Sequence, residues 1–147
     1  MADLQRIKDA EQALNKAIQQ ESEVLAQATT IPSFQRTQLI LNRTKLVIEK
    51  RSPFGARDIV SLRVEDILSA TAAAGPIFGT IKINAKPTSP KPLYSIGLFW
   101  RNDTIELKRT IQGYVIALQR KIDVDVLPVA ELKILLNELG TDDHTIN

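Results

Sequence analysis

The sequence contains no cysteine and only one histidine, His144. The chain can therefore form no disulfide, no thiolate metal site and no cysteine nucleophile. His144 stands in a polar C-terminal segment, where we do not expect the ordered imidazole of a Ser-His-Asp triad, and one histidine cannot build a multi-histidine zinc site. The adjacent carboxylates Glu65 and Asp66 would point to opposite faces of a strand, so we interpret them as a turn. We expect no catalytic residue, no cofactor and no metal, and thus a protein that is not an enzyme.

Long apolar runs are absent as well. The longest stretch without a charged residue covers residues 67–81, which is shorter than the roughly 20 residues that span a bilayer. The N-terminal residues include an acid, Asp3, and no apolar core of a secretory signal. We therefore expect a cytoplasmic protein without a transmembrane segment.

Aromatic residues are scarce, at 5% of the chain. Binding of single-stranded nucleic acid by base stacking needs exposed aromatic rings between basic residues. Only Phe34, Phe54 and Tyr94 are available for this purpose, so we do not expect a nucleic-acid partner.

The charge that is present is distributed unevenly along the chain. The 147 residues are 44% hydrophobic and 24% charged, which is typical of one soluble globular domain. The net charge of +2 combines −2 in residues 1–33, +7 in residues 34–102 and −3 in residues 103–147. Because the basic block contains most of the predicted strands and the acidic blocks contain the predicted helices, we interpret the pattern as acidic helices docked against a basic sheet.

Residues 3–21 are predicted to form a helix, since they lack Gly and Pro and are rich in strong helix formers. Their apolar stripe is narrow and is interrupted by Glu11 and Glu21. It consists of Leu4, Ile7, Leu14 and Ile18. We favour docking of this helix on its own domain, because helices of this length usually need tertiary support. The alternative is a weak oligomerisation seam.

Seven short strands are predicted to follow, at residues 23–29, 37–41, 45–51, 57–64, 67–71, 78–84 and 94–100. The last of these has the clearest period of two, with Tyr94, Ile96, Leu98 and Trp100 on one face. This alternation favours a core position for Trp100. Residues 85–92 are predicted to be a basic, proline-rich loop, because proline cannot donate to a central ladder.

Two helices are predicted to close the chain. The first begins at Asp103, which with Glu106 resembles a capping box, and Gly113 within it would allow close approach to the sheet. Pro128 suits the first turn of the second helix, and Gly140 is placed to end it. Strands followed by helices indicate an α+β fold.

Seven strands followed by one capping helix is the layout of the pleckstrin-homology (PH) superfold. Residues 39–48, 64–68 and 75–83 resemble segments of bacterial PH-like domains. The resemblance implies a seven-stranded antiparallel, partly open barrel with a capping helix over residues 23–122. An extra N-terminal helix (1–22), a helical extension (123–140) and a tail (141–147) would complete a single domain. The sequence departs from eukaryotic PH domains at its one tryptophan, which precedes the capping helix.

In lipid-binding PH domains, basic residues around the first two strands grip the headgroup, and Arg36, Arg43 and Lys45 are superficially similar to that set. The motif does not transfer cleanly, because Arg43 and Lys45 fall at the next turn along. With Lys86 and Lys91 of the proline-rich loop they form our candidate anionic-ligand surface, which comprises Arg36, Arg43, Lys45, Lys86 and Lys91.

The leading hypothesis for function is a non-enzymatic module for protein interaction or self-association, with a protein partner or a homo-oligomer as its complex. One alternative is peripheral binding to anionic membrane lipid through the basic central block. A second alternative is a structural component of a larger assembly, such as a bacteriophage particle. The leading hypothesis is motivated by the missing catalytic constellation, by the short exposed sheet edges that such a fold leaves and by the extra helices. Nothing in the residues selects the bacteriophage alternative.

Overall fold

The computed structural model of the chain describes residues 2–31 and 36–142. Within these ranges the fold is α+β, with two antiparallel sheets and three α-helices. The elements are α1 (Ala2–Ser22), β1 (Val24–Thr29), β2 (Arg36–Asn42), β3 (Lys45–Arg51), β4 (Arg57–Arg63), β5 (Ile67–Ala74), β6 (Phe78–Ala85), β7 (Leu93–Trp100), α2 (Arg101–Gln119) and α3 (Val129–Asp142). Phe34 and His144, which the sequence analysis considered, lie outside the described residues.

The seven predicted strands are all present, but they form two separate sheets. One has four strands in the order β1-β2-β3-β4, and the other has three in the order β5-β6-β7. The two ladders do not join into a closed barrel. A short 3-10 turn, Val64–Asp66, connects the sheets and contains the acidic pair that we interpreted as a turn. The α+β class is therefore confirmed, and the arrangement is that of two packed sheets.

The core lies between the two sheets and the last two helices. Strand alternation places Leu39, Leu46 and Ile48 of the larger sheet on its inner face, where they are almost fully buried. Residues from the smaller sheet, from α2 and from α3 belong to the same apolar cluster, including Ile81, Ile83, Leu107, Ile111, Leu132 and Leu136. Burial of this cluster is the main stabilising contribution to the fold.

Strand β7 contains a β-bulge at Leu98 that changes which residues face the core. Its register with β6 shifts by one residue there, and Leu98 has a positive φ of 69°. Because side chains alternate with a period of two, one extra residue exchanges the faces that follow it. Phe99 is consequently fully buried, whereas Trp100 is 53% exposed and stacks in a tilted geometry on Phe78. The predicted core position of Trp100 is therefore wrong.

Helix α2 begins directly at the end of β7, two residues before the predicted cap. Its N-cap is Trp100, which makes no side-chain capping bond. The Thr104 hydroxyl donates to the Trp100 carbonyl at 2.9 Å. Asp103 lies inside the first turn, where its negative charge still favours the helix dipole. The predicted capping box is thus absent because no loop separates strand from helix.

Two glycines mark the place where α2 and α3 come closest. A Cβ atom at Gly113 would lie 1.8 Å from the carbonyl oxygen of Leu136, and one at Gly140 would lie 1.9 Å from the carbonyl oxygen of Arg109. Gly113 thus permits close approach to α3, not to the sheet as predicted. Gly140 does not end its helix, which continues to Asp142. Both glycines serve helix packing, since any larger residue would push the two backbones apart.

Helix α1 is confirmed as a helix, and its residues 3–15 stand apart from the core. Every described side chain from residue 3 to residue 15 is exposed, and Leu4, Ile7 and Leu14 are 64%, 57% and 60% exposed. Its contact with the rest of the described chain is slight and involves mainly β2. The predicted docking of this helix on its own domain is therefore wrong for residues 3–15. The side chain of Ile18 lies outside the described set.

The docking of α2 and α3 depends on apolar contacts. In the part of the chain that the structure describes, the ion pairs join Arg43 to Glu23, Arg51 and Arg57 to Glu49, and Arg63 to Glu65. These pairs connect strands, turns and their flanks, and none of them includes a residue of the three helices. The interpretation of acidic helices held on a basic sheet by charge is thus not what these contacts show.

Candidate functional site

Arg43, one of the five residues of the predicted anionic-ligand surface, is buried at the turn between β2 and β3. Its guanidinium pairs with the Glu23 carboxylate and donates to the carbonyl oxygens of Val124 at 2.9 Å and Leu127 at 2.6 Å. The side chain is only 6% exposed. A charge this buried needs such partners, because burying it without them would be very costly. Arg43 therefore has a structural role, because it holds the β2–β3 turn against Glu23 and the linker before α3, and it is not available to a surface ligand.

Helix α2 reaches the same place through Tyr114, whose hydroxyl donates to the backbone carbonyl of Arg43. Burial raises the pKa of Tyr114 to about 12, and the nearby Asp125 acts in the same direction. The β2–β3 turn thus connects the residue after α1, the middle of α2 and the linker between α2 and α3.

The other four residues of that predicted surface do not lie close together as one cluster. Arg36 starts β2 and Lys45 starts β3, and because these strands form an antiparallel hairpin the two residues lie at opposite ends, roughly 20 Å apart. Lys86 lines a cleft beside the end of α2, whereas Lys91 lines a different cleft between β4 and β7. The distance between Arg36 and Lys45 and the separate clefts of Lys86 and Lys91 give no compact cluster, and one anionic-ligand surface stays a prediction.

Arg36 instead belongs to a row of three arginines that the sequence analysis did not bring together. Arg36, Arg51 and Arg57 are cross-strand partners on β2, β3 and β4. Glu49 accepts hydrogen bonds from Arg51 at 2.9 Å and from Arg57 at 2.8 Å, and these bonds hold its pKa below the usual range. Hairpin register around the turn at residues 52–56 could have revealed the row. Glu49 neutralises part of the positive charge of this row.

A different surface, which sequence reasoning missed, lies along strand β5. This strand is an edge of the three-stranded sheet and runs beside α2. The backbone N–H of Ala70 points away from β6 and donates to the Gln112 side chain at 2.8 Å. In an antiparallel strand every second residue directs its N–H and C=O to the same side. Ala72 and Ala74 therefore present their backbone groups on this open side, beyond the residue that Gln112 covers.

A groove of about 390 Å³ lies between this part of β5 and the first half of α2. Its lining residues are Ala72, Ala74, Arg101, Ile105, Lys108 and Arg109. The two alanines leave space beside the strand, Ile105 supplies an apolar wall, and three cations stand at the helix side. No carboxylate is among these described lining residues. Two signals in the sequence could have indicated the groove, namely the run of small residues at 72–74 and the helical spacing of positions 101, 105, 108 and 109.

In residues 2–31 and 36–142, no three histidine or acidic side chains lie close enough together to hold a metal ion. No helix there is both long and apolar enough to cross a membrane.

No protein-family model, no curated protein and no solved structure matches this chain. The resemblance to PH-like domains therefore depends on the sequence segments and the order of elements alone.

Proposed function

We propose that this protein is a non-enzymatic interaction module with a PH-like fold, and that it binds an extended peptide segment of a protein partner in the groove between β5 and α2. The observation that carries the proposal is the open edge of β5 at Ala72 and Ala74. Seven strands followed by a helix that packs across them support the fold assignment. The absence of cysteine fits a reducing compartment such as the cytoplasm.

Binding would occur by addition of a strand. A peptide lying beside β5 would exchange main-chain hydrogen bonds with Ala72 and Ala74, and main-chain bonds of this kind supply affinity while side-chain pockets supply specificity. At Ala70 the Gln112 carboxamide already occupies the place of a peptide carbonyl. Gln112 thus marks one end of the groove, and the other end opens at the turn after Ala74.

The charge of the groove indicates the chemistry of the peptide. Arg101, Lys108 and Arg109 line one wall, and the opposite wall is formed by alanines. Opposite charges across an interface steer encounter and disfavour wrong partners. We therefore expect a peptide with acidic side chains, whose binding weakens as salt concentration rises.

The proposal is tested by selecting binders from a displayed peptide library with the full chain and measuring them against two variants. Ala72→Pro removes the outward N–H but leaves the ladder with β6 intact, since proline is tolerated on an edge strand when its nitrogen faces away from the sheet. Ala72→Ser keeps the N–H and nearly the same side-chain size and is the matched control. We expect binding to be lost in Ala72→Pro and retained in Ala72→Ser. A library that yields no binder, or binders indifferent to Ala72→Pro, would overturn the proposal.

The charge argument has its own test on the same peptides. Lys108→Glu reverses a charge in the groove, and Lys133→Glu reverses one on the exposed side of α3. We expect the first to weaken binding about tenfold or more and the second to change it little. Equal effects of both variants would show attraction by overall charge and not by the groove.

A further inference from the structure

Helix α1 presents a second surface without a partner, and it is separate from the groove. Its described side chains are all exposed from residue 3 to residue 15, and the large apolar ones are Leu4, Ile7 and Leu14. These three fall at the a, d and d positions of a heptad repeat, and Ile18 continues the spacing in the sequence. We refer to Leu4, Ile7 and Leu14 as the α1 seam.

The width of the seam indicates what can cover it. A helix that packs on a sheet or a broad core shows three or four apolar residues in two turns, whereas a seam of two per heptad matches one other helix. Within the described residues, the apolar faces of α2 and α3 are already buried against each other and the sheets. Among the helices of this chain, the one with an uncovered seam of that width is α1 itself, so a second copy would supply the matching helix.

Charge decides the orientation of such a pair. Glu11 occupies an a position, so a parallel pair in register would place Glu11 opposite Glu11 of the second copy. In an antiparallel pair, a positions face d positions, and Glu11 lies opposite Leu14. The same register places Leu4 opposite Glu21 and Ile7 opposite Ile18. We propose that the chain self-associates through an antiparallel pairing of α1 with α1 of a second copy.

The pairing should be weak and concentration-dependent. The helix has 21 residues and is roughly 31 Å long. By the heptad spacing of the sequence, each copy would contribute the seam, Ile18 and the aliphatic parts of Glu11 and Glu21. Burial of so few side chains only slightly exceeds the cost of bringing two molecules together. We expect a dissociation constant on the order of 100 μM. A helix of this length is marginal by itself in water, so pairing would also raise its helix content.

Sedimentation equilibrium of the full chain, from low micromolar to near-millimolar concentration, tests the proposal. We expect a monomer–dimer equilibrium that Leu14→Glu weakens at least about tenfold. Gln12→Glu adds the same charge off the seam and should leave association nearly unchanged. Glu11→Leu should strengthen association about tenfold, since it removes the polar interruption. Far-ultraviolet circular dichroism and thermal unfolding confirm that each variant is folded.

Two results would overturn self-association through α1. One is a strict monomer at every concentration for both the native chain and Glu11→Leu. The other is a dimer that Leu14→Glu and Gln12→Glu weaken to the same extent, because association would then depend on another surface or on charge alone.

Orientation is tested by disulfide formation, which is straightforward because the chain has no cysteine of its own. In the antiparallel pair, a mixture of Leu4→Cys and Glu21→Cys chains should cross-link on oxidation, and Leu4→Cys alone should not. The two Leu4 positions would be roughly 25 Å apart, far beyond the reach of a disulfide. Cross-linking of Leu4→Cys with itself, together with no cross-link between a Leu4→Cys chain and a Glu21→Cys chain in the mixture, would show a parallel pair and contradict the proposed orientation.

Discussion

Helices α1 and α2 have similar lengths, 21 and 19 residues, and both show an apolar stripe in the sequence, yet only α2 belongs to the core. Helix α2 buries residues over much of its circumference, including small ones such as Gly113 and Ala117. Helix α1 offers only the narrow α1 seam. The difference teaches that the width of a stripe, more than its presence, distinguishes a helix docked in a core from one whose apolar residues stay exposed.

The strongest test of this comparison truncates one leucine on each helix. Leu107 of α2 is 1% exposed, and Leu107→Ala should lower the free energy of unfolding by about 2–5 kcal/mol, because it leaves a cavity in the core. Leu14→Ala on α1 should change it by less than about 0.5 kcal/mol in dilute solution, where α1 is exposed. Urea unfolding of both variants measures the difference. Similar losses in the two variants would show that α1 is part of the core.

The next test concerns the close approach of α2 to α3. Gly113→Ala places a methyl group against the Leu136 backbone, and we expect a loss of about 3 kcal/mol, since backbone cannot yield as a flexible side chain can. The opposite exchange on α1, Ala13→Gly, removes a methyl group and should cost at most about 1 kcal/mol. Thermal unfolding gives both values. If Gly113→Ala left the free energy of unfolding unchanged, the backbones of α2 and α3 would have to lie farther apart than the 1.8 Å between a Cβ at Gly113 and the Leu136 carbonyl oxygen implies.

Arg43 bonds both to Glu23, directly after α1, and to the linker that follows α2. The contributions of these two contacts to stability can therefore be compared. Arg43→Met should cost about 3 kcal/mol, because it leaves the Glu23 carboxylate and the carbonyls of Val124 and Leu127 without their donor. Glu23→Gln weakens only the contact beside α1 and should lower the free energy of unfolding by about 1 kcal/mol. Chemical denaturation measures the free energy of unfolding of each variant. If Glu23→Gln were as harmful as Arg43→Met, the anchoring beside α1 would be the more important one.

The smallest expected effect comes from Tyr114 of α2. Tyr114→Phe removes its hydrogen bond to the Arg43 carbonyl and should cost about 1 kcal/mol at neutral pH. The pKa of Tyr114 is raised to about 12 in the folded state, above the ordinary value of about 10. The contribution of Tyr114 to the free energy of unfolding is therefore complete below a pH of about 10, and it is lost as the pH rises towards about 12. Stability measured between these pH values should fall less steeply in Tyr114→Phe than in the native chain.

The strands were predictable because each is specified by local alternation. Strand β3 was predicted at residues 45–51 and is found at Lys45–Arg51, and its inward residues are the ones that the alternation indicates. The limit of this reasoning appears at the end of β7. Leu98, Phe99 and Trp100 are all apolar, so the pattern cannot show that a bulge exchanges their faces.

The candidate sites were less predictable, because they depend on pairings between distant parts of the chain. The sequence shows that Arg43 is basic but not that it lies against Val124, which is 81 positions away. It shows the alanines of β5 and the cations of α2, but the groove exists only where the helix runs beside that strand.

By itself, the sequence determined the helix and strand content, the antiparallel character of the strands and the exclusion of thiol chemistry, since these follow from local periodicity and composition. The tertiary structure alone decided that Arg43 is buried, that Trp100 is exposed, that Gly113 and Gly140 serve helix packing and that residues 3–15 of α1 are exposed. The physical reason is that burial depends on which distant segments of the chain pack together, and the local sequence pattern does not specify those contacts.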